Sequence, residues 1–124
     1  MNSTYIQSTW STADLFPAHD SQEMESAFAE VEQRTAVFEK HRPSLTPQIS
    51  KEDFLKIIKE IEAVTRIMQK IGAFAELRFA TNTQDQSALN FIARFDQFRA
   101  DITNRTLFFS LWWKDLEQEA ADRL

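Results

Sequence analysis

The chain has 124 residues with a formal net charge of -5, one Gly, three Pro and no Cys. That length suits one domain with its own core, and a single Gly leaves a many-stranded β fold without the tight turns it needs. The acidic balance argues against a nucleic-acid binder, which needs a basic face, and the lack of Cys removes disulfides, thiolate nucleophiles and cysteine zinc sites.

Residues 1–19 read as an extended, Ser- and Thr-rich arm with Trp10, Leu15 and Phe16 as isolated anchors onto a bundle. A first helix is expected over 20–41, opened by Asp20 and Glu23 at capping-box spacing and closed by Arg42-Pro43, since Pro disfavours a helical predecessor. Its apolar stripe is Met24, Ala27, Phe28, Val31, Thr35 and Phe38. After a loop carrying Pro43 and Pro47, Ser50 caps a second helix over 50–80, with Glu52 and Asp53 in the first turn, where the helix dipole favours acids. Its stripe runs Phe54, Ile57, Ile58, Ile61, Val64, Met68, Ile71, Ala75 and Phe79, with Ile67, Phe74 and Leu77 off that line. The apolar load on two sides predicts two neighbours. Gly72 lies on the stripe and marks a close helix approach.

A polar turn, Thr81 to Asp85, leads to a third helix expected over 85–124 and capped by Thr83 or Asp85. Phe91, Phe95, Phe98, Ile102, Phe109, Trp113, Leu116 and Ala120 fall within about 60° of arc at 100° per residue. The expected architecture is an all-α, antiparallel three-helix bundle, one domain over 1–124, with long second and third helices.

The segment Leu107 to Trp113 breaks this pattern. Its apolar residues sweep about 240° around the helix, where one core stripe needs little more than 100°. Leu107, Phe108 and Leu111 point away from the Phe109/Trp113 stripe, and Trp112 sits at its edge. Either the first helix and the arm cover them, or Leu107, Phe108, Leu111 and Trp112 are an interface to another domain or a second copy of the chain. The short first helix and the length of the third, expected to overhang the bundle, favour the interface.

No catalytic constellation is present. His19 and His41 stand 22 positions apart, no H-E-x-x-H places two imidazoles on one helix face, and no Gly-rich phosphate loop or G-x-S-x-G occurs. No Glu-x-x-His suggests a di-iron bundle. Arg94, Arg99 and Arg105 approach a basic stripe, but Asp96 and Asp101 interrupt it. The N-terminus lacks the pattern of a signal peptide, and the longest strongly apolar stretch, Leu107 to Trp113, is far short of the roughly 20 residues of a membrane span. A cytoplasmic protein without nucleic-acid or membrane partners is expected.

Trp10 with Leu15-Phe16-Pro17, the second helix ending Phe74-Ala75-Glu76-Leu77-Arg78-Phe79-Ala80, the turn Thr81-Asn82-Thr83-Gln84-Asp85 and the segment Leu107-Phe108-Phe109-Ser110-Leu111-Trp112 occur in that order. In this order and spacing the chain resembles the N-terminal helical domain of oligoendopeptidase F-like zinc metallopeptidases, of the thimet oligopeptidase clan. Thr12 departs from the family's apolar arm position, and Asn82 stands where Asp is common. The resemblance implies a non-catalytic domain, the N-terminal part of a longer hydrolase, packing against the catalytic domain and helping enclose the peptide channel. It implies zinc and peptide substrates for the full enzyme only. This chain supplies no catalytic, metal or cofactor residue, and its partner is the rest of the peptidase or a second copy. The alternative is a free-standing helical module that homodimerises through the aromatic segment of the last helix.

Overall fold

Ser21 lies in extended backbone, and its Oγ accepts a hydrogen bond from the Met24 N–H at 3.1 Å. That cap starts α1, Gln22–Glu39. The structure, a computed structural model, describes residues 16–116 and 118–124; the anchors expected at Trp10 and Leu15 lie outside them. The helix therefore begins after Ser21 and not at Asp20, because a short hydroxyl side chain one residue later satisfies a free backbone donor of the first turn. Its C-terminal end tightens into a 3-10 turn, Arg42–Ser44, with Pro43 at a position where no N–H is needed.

Helix α2 spans Lys51–Thr81, and Ser50 Oγ accepts from the Asp53 N–H at 3.1 Å, the cap that its sequence predicts. Helix α3 spans Gln86–Asp115, capped by Asp85 through the Ser87 N–H at 2.9 Å. Arg78 of α2 reaches across the turn to Ser87 Oγ at 2.9 Å and to Asp85 at 3.4 Å. The turn is thus tied at both ends.

The three long helices pack on one another pairwise. Gly72 lies where a Cβ would stand 3.2 Å from Phe95 Cε2, the close approach expected of it. One core cluster joins Phe16, Phe28, Val31, Phe74, Phe91 and Phe95; Phe16 and Phe91 each meet the Phe74 ring edge-on at 5.7 Å. A second cluster surrounds Phe38, Ile49 and Ile57, with Phe54, Phe108, Phe109, Trp112 and Leu124 packed against it.

The third helix is shorter than the 85–124 predicted. At Leu116 the backbone turns extended, with ψ 132° and its N–H bonded to the Trp113 carbonyl at 3.3 Å. A short helix, α4 (Gln118–Arg123), follows. Arg123 donates to the carbonyls of Ile49 and Pro47, both at 2.6 Å, and Leu124 enters the second cluster. These contacts offset the helical hydrogen bonds given up at the break, in a segment with no Gly or Pro to announce it.

Candidate functional site

Each turn of α3 presents a side chain away from the Phe91/Phe95/Ile102 core, and near its C-terminal end two such side chains are leucines. Leu107 is 46% exposed and Leu111, one turn on, 52%. The helix periodicity puts them on one face.

Phe108 and Trp112 are placed differently. Phe108 packs on Phe38 of α1 with ring centroids 5.2 Å apart, and the Arg42 guanidinium lies over its ring at 5.3 Å. Trp112 lies 6.1 Å from Phe54 and 5.8 Å from Phe109. Its indole N–H is buried without a hydrogen-bond partner among the described residues. The four residues grouped by sequence thus divide: Leu107 and Leu111 face outward, while Phe108 and Trp112 are half-buried against the end of α1, the start of α2 and the C-terminal segment. The expected core residue Trp113 is 42% exposed, although it stacks on Phe54 at 5.5 Å. At this end the cluster is completed by Leu45 and Ile49, from the segment between α1 and α2, and by Leu124, and it takes in Phe108 and Trp112.

Electrostatics binds this end to α1. Arg105 donates from Nη2 to Glu39 at 2.8 Å and from Nη1 to Glu32, with Asp101 at 3.6 Å. These hydrogen bonds hold the Glu39 carboxyl below its ordinary range and raise the guanidinium's pKa further. At the other end Arg94 grips Glu25 through two bonds of 2.9 Å and lies 4.1 Å over Phe28, and the same effect lowers Glu25. Arg99 bonds Asp96 at 3.0 Å. All three arginines of the incipient basic stripe therefore have carboxylate partners.

Between α2 and α3 an open groove of about 460 Å³ runs over Val64, Met68, Phe95 and Ile102, with Glu76 and Arg99 among its lining residues. It contains no nucleophile–base pair. His19 sits edge-on to Phe91 at 6.0 Å, and His41 begins the 3-10 turn. Among the described residues no three of His, Cys, Asp or Glu gather as a metal site, and no helix is long and apolar enough to cross a membrane.

Comparisons with protein families, with curated proteins and with solved structures each return no match to this chain.

Sequence reasoning passed over Leu89, 39% exposed on α3, and Leu55, 51% exposed on α2. Leu89 had a legible signal: it stands 18 residues, five helical turns, before Leu107.

Proposed function

We propose that this chain is a non-catalytic helical packing domain, the N-terminal lobe of a cytoplasmic zinc oligopeptidase of the oligoendopeptidase F kind. In this reading it packs against the catalytic domain and helps enclose the peptide channel. The observation that supports it is the Leu107/Leu111 face: two leucines one turn apart, about half exposed, beside a packed aromatic cluster. Exposed neighbouring apolar side chains are what an interface leaves open when its partner is away. The described residues do not fit a zinc site, so the metal and the activation of water belong to the rest of the enzyme in this reading.

The bundle is read as antiparallel. Phe54 at the start of α2 stacks on Trp113 at the end of α3, Gly72 meets Phe95, and Phe74 meets Phe91 near the turn. Phe16, buried at 4% exposure against Phe74 and under Lys70 at 4.8 Å, supports an N-terminal arm laid onto the bundle.

The deciding experiment is the mass of the native product in source cells, read with an antibody raised against this chain. A species several times heavier than 14.5 kDa is expected. A species at 14.5 kDa would overturn the peptidase reading in favour of a free-standing helical module. Within the heavier product, Leu107→Gln/Leu111→Gln should loosen this domain and expose it to proteolysis while the isolated chain keeps its helicity. Unchanged protease resistance would count against this face as the packing surface.

A further inference from the structure

The outward face of α3 extends far beyond Leu107 and Leu111. Leu89, Ala93, Ala100, Leu107 and Leu111 fall within about 40° of arc at 100° per residue, nearly opposite the buried Phe91, Phe95 and Ile102. All five are exposed, the leucines at 39%, 46% and 52%. Neither α1 nor α2 covers this line. Its span of 22 residues gives a seam of about 33 Å at 1.5 Å per residue.

The spacing along the seam is symmetric about Ala100. Leu89 lies eleven residues before it and Leu111 eleven after; Ala93 lies seven before and Leu107 seven after. Turned end over end about Ala100, the positions of the row coincide, leucine on leucine at the ends and Ala93 on Leu107 inside them. Self-complementarity of this kind is the requirement for an isologous, two-fold contact, in which one patch meets its own copy. Leu89 of one copy would meet Leu111 of the other, Ala93 would meet Leu107, and the two Ala100 side chains would face each other at the axis. Small residues at the centre let two helices approach closely, and leucines at the ends fill the wider space. Asp96 and Asn104, four residues either side of Ala100, bring a carboxylate to an amide donor. The like charges flanking the axis are already neutralised within each chain, Arg99 by Asp96 and Asp101 by Arg105.

From this register we infer that the isolated chain self-associates, two copies pairing their α3 helices antiparallel along this seam with the two-fold axis at Ala100. The inference rests on the reading of Leu107 and Leu111 as interface residues, and it names a second copy of this chain as their occupant when no other partner is present. One helix–helix seam is small among specific interfaces, so pairing should depend on concentration.

The absence of native Cys makes single-cysteine reporters clean. Ala100→Cys should oxidise to a disulfide-linked dimer much faster than Glu62→Cys, an exposed position on α2 outside the seam. Leu89→Cys mixed with Leu111→Cys should give the mixed dimer in excess over either alone. In sedimentation the native chain should show concentration-dependent dimers, and Ala100→Glu, which sets two carboxylates at the axis, should be monomeric with unchanged helicity. Monomers at every concentration, or Ala100→Cys linking no faster than Glu62→Cys, would overturn the pairing. Leu111→Cys linking to itself in preference to Leu89→Cys would overturn the antiparallel register. Neither result depends on the mass of the native product, so the packing-domain reading stands or falls separately.

Discussion

The two ends of the bundle are built by different rules. Around Phe74, helical stripes from α1, α2 and α3 meet, and the side chains at the centre are fully buried. Around Phe38, α1 is at its last turn; a loop residue, Ile49, and Leu124 complete the cluster, and most of its aromatics are only half-buried. Periodicity describes the first end because a helix surrounded by helices buries a constant face. It misassigns the second because loops cover whichever side they reach.

The sharpest way to test this contrast is to truncate one aromatic at each end. Phe74→Ala removes a ring with no exposure and two edge-on partners, and should cost about 3–5 kcal/mol in urea denaturation. Trp113→Ala, at 42% exposure, should cost well under half of that. Equal losses would mean that the end around Phe38 is as tightly packed as the end around Phe74.

A smaller effect of opposite sign is expected at Thr35, between Val31 of one cluster and Phe38 of the other. Its hydroxyl is completely buried and has no hydrogen-bond partner among the described residues. Thr35→Val keeps the shape and removes the unsatisfied group, so it should stabilise by about 1 kcal/mol. A loss in thermal unfolding would show that the hydroxyl has a partner in solution.

The smallest effects are electrostatic. Glu25 at one end and Glu39 at the other have folded pKa values below the ordinary 4.5 because Arg94 and Arg105 donate to them. A depressed carboxylate contributes its stability above the unfolded pKa and loses it as pH falls through the folded one. Unfolding free energy should therefore be constant from neutral pH to about 5 and decline below 4.5. Both groups are substantially exposed, so each pair is worth about 0.2–1 kcal/mol, less in high salt. Glu25→Gln and Glu39→Gln should each flatten part of the acid limb, and an unaltered limb in either variant would remove that pair from the account.

Part of the placement of the segment from Leu107 to Trp113 was legible beforehand. The sweep of apolar residues from Leu107 to Trp113 exceeded one stripe, and Leu107 and Leu111 do face outward. Phe108 and Trp112 could not be assigned from spacing, because what covers them is Phe38, Arg42 and Phe54, brought there by the turn after α1 and the start of α2.

By itself the sequence determined that this protein is helical, where α2 is capped, and which faces of α1 and the first half of α3 are buried. Those outcomes depend on neighbours three and four residues away and on a serine hydroxyl beside its own helix, all local physics. Only the tertiary structure decided that Phe74 is central, that Trp113 is exposed and that α3 stops at Asp115. Each depends on an approach between segments distant in the chain, and the break at Leu116 depends on Arg123 finding two carbonyls more than 70 residues away.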